Sequence, residues 1–259
     1  MNHPLSNIHP KAKIGKNVKI EPFVTIYKNV EIGEGTWICP SVTIMEGAQI
    51  GKNCKIFPGA VISAIPQDLK FEGEITTVEI GDNTTIREFV TINRGTKSKG
   101  KTCVGSNCLL MSYVHVAHDC VIKNDVILTG YVGLAGEVVV DDCAIIGGGS
   151  VVHQFVRIGT HAMISGGSKI GKDVPPYIKA GREPLSYGGI NSIGLRRRGF
   201  TTEKINELQE IYRIIFQNGL NYSDAIDFIE TNLPASNERD EIIQFVRNSK
   251  RGIIKGLME

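Results

Sequence analysis

An aliphatic residue returns at every sixth position along most of this chain. Isoleucine fills each of these positions from Ile8 through Ile14, Ile20 and Ile26 to Ile62. The register resumes at Ile80, Ile86 and Ile92, and again from Val104 to Ile170. Of the 28 positions between 8 and 170, 25 hold Ile, Leu or Val; Asp68, Glu74 and Ser98 are the exceptions. A second stripe, four residues later, is small or β-branched, as at Val18, Val24, Val42, Cys54, Val114 and Cys120. Six residues advance an α-helix by about one and two-thirds turns, so this period would scatter apolar side chains around a helix. Short strands joined by tight corners satisfy it, each hexad making one flat side with its aliphatic inward. Three sides close a triangular coil of eighteen residues, and successive coils stack at the inter-strand spacing of roughly 4.8 Å. The expected fold is a parallel β-helix.

Two stretches, 63–78 and 94–102, replace hexads with polar, loop-like sequence. Loops thrown out of a rigid scaffold are where binding residues concentrate. The hexads stop at Pro175-Pro176, and from Thr202 the period becomes helical. Thr202 is expected to cap a helix carrying Ile205, Leu208, Ile211 and Ile215 on one face. Ser223 is expected to open a second with Ile226 and Ile229, and a third spans 237–249 with Ile242, Phe245 and Val246. The domains expected are therefore a β-helix over 1–190 with two external loops, and a small α-helical domain over 191–259. The helical domain is expected to serve packing, subunit contacts or partner docking.

Composition narrows the class. The 259 residues are 41% apolar and 22% charged, which excludes a disordered tail. No apolar run approaches the roughly 20 residues of a membrane span, and Met1 to Leu5 lack the features of a secretory signal. Net charge is +2, from 29 basic and 27 acidic residues, which excludes a globally basic nucleic-acid binder and leaves room for a local patch such as Arg196-Arg197-Arg198. The six cysteines form no Cys-x-x-Cys pair. Cys54, Cys108 and Cys120 fall on interior positions, as expected of buried reduced thiols in the cytosol.

Coil arithmetic also locates chemistry. His118 is the third residue of its hexad; eighteen residues on lies Gly136, and eighteen further Gln154, so the three stack on one edge. His153 adjoins Gln154, and His115 precedes His118 by one corner. A neutral imidazole suits proton removal from a hydroxyl. Asp119 is placed to polarise it, and a backbone N–H on a residue without a side chain suits a developing oxyanion. The bland readings are a solvated surface histidine, His161 above all, and a glycine that merely turns the chain. A third reading takes His115, His118 and His153 as metal ligands, as in the trimeric β-helix carbonic anhydrases, which resemble this fold. Their ligand spacing is wider and Gln and Gly dominate this edge, so no metal is expected.

The hexads resemble those of the hexapeptide-repeat transferases, over about residues 8 to 176, which implies a left-handed coil. The segments Ile65-Pro66-Gln67-Asp68-Leu69-Lys70, His115-Val116-Ala117-His118-Asp119-Cys120, Leu134-Ala135-Gly136, Val152-His153-Gln154-Phe155 and Arg197-Arg198-Gly199-Phe200 are more specific. They resemble the UDP-N-acetylglucosamine O-acyltransferase family, the first enzyme of lipid A synthesis. The resemblance implies a cytoplasmic homotrimer with sites in clefts between subunits, and neither nucleic-acid binding nor membrane insertion. It implies His118 as general base on the sugar 3-hydroxyl and Gly136 as oxyanion donor. The donor would be a 3-hydroxyacyl chain on the 4′-phosphopantetheine of acyl carrier protein, with no resident cofactor. Asp68 and Lys70 match residues that contact the sugar nucleotide or the pantetheine. His115, His153 and Gln154 match further binding residues, and Asn191 and Arg197 match nucleotide contacts. Gly166 matches the acyl-chain ruler, where glycine leaves room for a long tail. The Arg196–Arg198 run also reads as a solvated stretch or a dock for acidic carrier protein.

Two positions depart from the family pattern: Glu137 stands where many relatives have histidine, and Ile193 where many have glutamate. They open the question of a 3-amino rather than 3-hydroxyl acceptor. The competing functions are an acetyl-coenzyme-A-dependent N-acetyltransferase on a nucleotide sugar, the second-step N-acyltransferase, and a non-catalytic solenoid. Hexads that begin by residue 8 leave no room for the extra N-terminal domain of the second-step enzyme. A scaffold has no use for the polar Gln67–Lys70 and His118-Asp119 clusters.

Overall fold

The computed structural model describes residues 3–256 and is a left-handed parallel β-helix followed by four helices. Two-residue strands such as Thr25–Ile26, Glu31–Ile32 and Trp37–Ile38 form one coil, one strand on each of three faces. The first face carries nine strands from Asn7–Ile8 to Lys169–Ile170, and the second eight from Lys13–Ile14 to Arg157–Ile158. The third begins at Lys19–Ile20 and ends with the antiparallel pair Ile178–Gly181 and Ser186–Ile190. Every hexad aliphatic from Ile20 to Ile170 that falls on a strand is buried, at 0–4% exposure. Where a polar residue enters the second stripe, its hydroxyl is satisfied within the coil: Thr36 Oγ1 donates to Gly51 O and accepts from Cys54 N.

Most corners turn through a left-handed residue three positions after the aliphatic, for example Asn17, Asn29, Asn53 and Asn83 with φ of 54–57°. Asn, Asp and Gly tolerate this region best. Close stacking imposes its own demand: a Cβ on Gly33 would lie 2.5 Å from the backbone of Gly51 one coil above.

The two loops alter the stacking step but not the hexad register. Ile44 pairs with Ile62 eighteen residues on, whereas Ile62 pairs with Ile92 and Ile92 with Val116, steps of 30 and 24. The surpluses, twelve and six, are whole hexads, which is why the sixfold pattern resumes in phase and why Asp68, Glu74 and Ser98 break it. Both loops leave the same edge, between first and second faces: one lies between Val61–Ala64 and Thr77–Ile80, the other between Thr91–Asn93 and Lys101–Val104.

The helices are α1 (Ser192–Arg197), α2 (Thr202–Gln217), α3 (Tyr222–Asn232) and α4 (Asn237–Arg247). Their caps lie slightly upstream of those expected. Thr201, extended at φ −73° and ψ 163°, caps α2 in place of Thr202, and Asn221 caps α3 in place of Ser223. In each case a second side-chain acceptor stood nearby and the backbone conformation selected between them. The helices close the upper end of the solenoid. Tyr212 OH donates to Pro176 O at 2.7 Å, and buried Asp173 holds Arg157 N at 2.8 Å and Ser249 Oγ at 2.7 Å. At the lower end, strands Asn7–Ile8 and Lys13–Ile14 pair with nothing beneath them among the described residues, and Ile8 and Ile14 are only partly buried; under the third face His3 N donates to Ile20 O at 3.1 Å.

All six cysteines are free thiols. Burial pushes Cys108 up to about 11 and Cys120 up to about 12, far from the range in which a thiolate forms readily. No described helix is long and apolar enough to cross a membrane.

Candidate active site

The edge between first and second faces carries His118, Gly136 and Gln154 in successive coils. His115 and Gly133 are in register beneath the corner, and Glu137 N donates to His118 O at 3.0 Å while Phe155 N donates to Gly136 O at 3.2 Å. The two loops emerge from the same edge one and two coils below His118, so the solenoid supplies one wall of the site and the loops the other. Together they enclose a cavity of about 340 Å³ whose lining includes Asp68, Lys70, Ser98, His118, Glu137 and Gln154.

Asp119 occupies the left-handed corner position at φ 60°, and its side chain is fully buried. That conformation folds its carboxylate back against the preceding histidine. Oδ2 accepts from His118 Nδ1 at 2.8 Å and from Thr96 Oγ1 at 2.7 Å. Oδ1 accepts from Thr96 N at 3.0 Å and Lys99 N at 3.2 Å. A carboxylate serving four donors is an acceptor throughout, so His118 carries its proton on Nδ1 and its Nε2 lone pair faces the cavity. Across that space Asp68 Oδ2 lies 3.9 Å from Nε2, near enough to favour positive charge developing on the ring.

Gly136 sits directly over the imidazole. A Cβ there would lie 2.6 Å from both Cε1 and Nε2 of His118, so no other residue fits without moving the ring. The Gly136 N–H makes no backbone hydrogen bond among the described residues, which leaves it available to a ligand oxygen.

The other residues singled out in sequence are distributed as follows. Lys70 N donates to Asp68 Oδ1 at 3.0 Å, closing a small turn in the first loop with the Lys70 side chain exposed. His115 shares a 2.7 Å hydrogen bond with Thr91 Oγ1, and burial lowers its pKa, which keeps it neutral at neutral pH. His153 is exposed, its Nδ1 on the Gln154 carbonyl at 3.1 Å. Gly166 is not on this edge: it follows Met163–Ile164 on the third face, at the corner between third and first faces, above Gly148. Asn191 and Arg197 belong to the remaining edge. Asn191 caps α1 and donates from Nδ2 to His161 O at 3.0 Å, and Arg197 is exposed in the last turn of that helix. The chain thus brings Asp68, Lys70, His118, Asp119, Gly136 and Gln154 together and holds Gly166, Asn191 and Arg197 apart.

His161 is a packed residue, stacked on Tyr177 at 5.7 Å and edge-on to Phe200 at 5.3 Å, and burial lowers its pKa, with Arg198 adding to the effect. Among the described residues no group of three His, Cys, Asp or Glu side chains is arranged to hold a metal ion. The sequence reading missed Thr96, Ser98 and Lys99. They lie in a loop flagged as a binding element, but nothing in its composition says that it folds onto Asp119.

A hexapeptide-repeat β-helix with a histidine–aspartate pair on one edge is the plan of a hexapeptide acyltransferase. The chain is 57% identical, over 97% of its length and 93% of the relative's, to an acyl-[acyl-carrier-protein]–UDP-N-acetylglucosamine O-acyltransferase from Sulfurihydrogenibium. It is 56% identical, over 96% and 95%, to a protein of the same name from Chlorobaculum parvum. It belongs to the UDP-N-acetylglucosamine O-acyltransferase family. The crystal structure of a UDP-N-acetylglucosamine acyltransferase from Bacteroides fragilis superposes with a TM-score of 0.97 at 56% identity, covering 98% of this chain and 100% of that one. The family model described as UDP N-acetylglucosamine O-acyltransferase, domain 2, matches residues 173–254, and that of the GMPPB C-terminal domain matches residues 3–65.

Proposed function

We propose that this protein transfers a (3R)-3-hydroxyacyl chain from acyl carrier protein to the 3-hydroxyl of UDP-N-acetylglucosamine, the first step of lipid A biosynthesis. The observation that carries the mechanism is the His118 ring, fixed from one side by buried Asp119 and covered by Gly136. Nε2 removes the proton of the sugar hydroxyl as its oxygen attacks the thioester carbonyl. The tetrahedral oxyanion is met by the Gly136 N–H. Collapse breaks the C–S bond, and the leaving thiolate takes the proton from the imidazolium, giving the ester and the free pantetheine thiol. Asp119 and Asp68 both favour the transient cation. The chain needs no cofactor of its own in this scheme, because the pantetheine arrives with the donor.

The homotrimer belongs to the same proposal. Gly166, Asn191 and Arg197 lie on edges that face away from His118, and a three-fold assembly would set a neighbour's edges against it. Leu69 and Ile75, both fully exposed on the loop beside the site, suit a subunit contact. The reading places the protein in the bacterial cytoplasm, where a water-soluble donor and acceptor meet.

The test is transfer from 3-hydroxyacyl-loaded acyl carrier protein to UDP-N-acetylglucosamine by wild type and His118→Ala. The variant should lose on the order of 10³-fold in kcat. Near-normal turnover in the variant removes His118 as base. Wild-type turnover only with a 3-amino sugar nucleotide or with acetyl-coenzyme A replaces the acceptor or the donor.

A further inference from the structure

The second loop is held to the corners of the coil at two points, and only one of them is Asp119. Ser98 Oγ donates to Glu137 Oε1 at 3.0 Å, and Lys99 Nζ lies 3.7 Å from Glu137 Oε2 and 3.1 Å from the Asp119 carbonyl oxygen. Glu137 stands on the corner one coil above Asp119, itself left-handed at φ 62°. Residues 96–99 therefore bridge two successive corners of one edge. Thr96 and Lys99 close on the lower carboxylate, Ser98 and Lys99 on the upper. The first loop adds a tether through Glu74 Oε1, which accepts from Lys97 N at 3.0 Å.

We propose that Glu137 is a positioning residue that latches the 96–99 segment over Asp119 and thereby holds His118 in its working orientation. The assignment rests on the acyl-transfer reading of the His118 edge. Its geometry explains an otherwise unpromising choice, an acidic side chain one residue from the oxyanion donor. The Glu137 carboxylate is turned onto the loop, with a hydroxyl on one oxygen and an ammonium near the other. Release of the latch would leave Asp119 with His118 Nδ1 but would free the loop that supplies its other three donors. The carboxylate could then rotate, and the orientation and tautomer of the ring would no longer be fixed.

Kinetics and proteolysis separate this role from its rivals. Glu137→Ala should lower kcat by about tenfold with KM for the sugar nucleotide within about twofold. Glu137→Gln, which keeps an acceptor for Ser98, should return to within about threefold of wild type, and Ser98→Ala should fall with Glu137→Ala. Because Glu137 acts through Asp119, adding Glu137→Ala to Asp119→Asn should change kcat by less than about twofold. Tryptic cleavage after Lys97 and Lys99 in the native protein should be about tenfold faster in Glu137→Ala, at unchanged melting temperature. A raised KM with kcat intact overturns the proposal in favour of a direct acceptor contact. Multiplicative effects of Glu137→Ala and Asp119→Asn, or unchanged cleavage, overturn it as well. Failure of wild type to use the acceptor strikes the functional reading alone, since the proteolysis reports on the latch without turnover.

Discussion

Two edges of the same prism meet the same backbone problem with opposite residues. At the edge between third and first faces, the left-handed corners of three successive coils hold Phe89, Tyr113 and Tyr131, at φ of 57–64°. Their rings stack at 5.2 and 4.8 Å in a continuous ladder. At the edge between first and second faces, the equivalent corners hold Asp119, Glu137 and Phe155, at φ of 60–68°. There Asp119 turns onto His118 and Glu137 onto the second loop rather than onto one another. The backbone is interchangeable between the two; what differs is the use made of an identical Cα–Cβ direction repeated once per coil. A solenoid separates stability from chemistry by edge, where a globular enzyme usually has to separate them by depth.

The sharpest way to break the catalytic edge without touching the base is Asp119→Asn. Its amide cannot accept from His118 Nδ1 and from all the loop donors at once, so the ring loses its fixed tautomer. A fall in kcat on the order of 10³-fold is expected in the acyl-transfer assay, by the logic that a misassigned tautomer leaves geometry but not function. Gly136→Ala comes next: the methyl would press on Cε1 and Nε2, and a displaced base should cost about 10²-fold in kcat. On the structural edge the effects should be thermodynamic. Tyr113→Ala removes the middle ring of the ladder, with a loss of about 1 kcal/mol and a fall in melting temperature of roughly 2–4 °C by calorimetry. Activity lost in Tyr113→Ala beyond what the stability change explains would erase the distinction between the edges.

The architecture is legible in sequence because a hexad is a local object: aliphatic, corner and small residue all lie within six positions, and neighbouring coils repeat them. Stacking is nearly as accessible. The step of eighteen puts His118, Gly136 and Gln154 together, and the same count puts Gly166 elsewhere. Gly166 follows His118 by 48 residues, two coils and two further faces. What the pattern does not encode is the path of the loops. Thr96 reaches Asp119 from 23 positions away, and no period links them, because the loop's conformation is set by the very bonds it makes. The same holds at the helix caps, where Thr201 and Thr202 offer identical side chains and only the extended backbone at Thr201 decides between them.

The lower end of the prism carries a problem of its own. Among the described residues the lowest coil leaves the strands Asn7–Ile8 and Lys13–Ile14 without a partner beneath them, and an unpaired strand row is a surface on which another molecule's strand can dock. The helices stop propagation at the top. At the bottom the first coil holds Lys11, Lys13, Lys16 and Lys19, with Lys13 paired to Glu31 and Lys19 to Glu21, so the open end is dressed in charged side chains, a common guard of a strand edge. The two ends of the prism are thus closed by different means, packed helices at the top and charged side chains at the bottom.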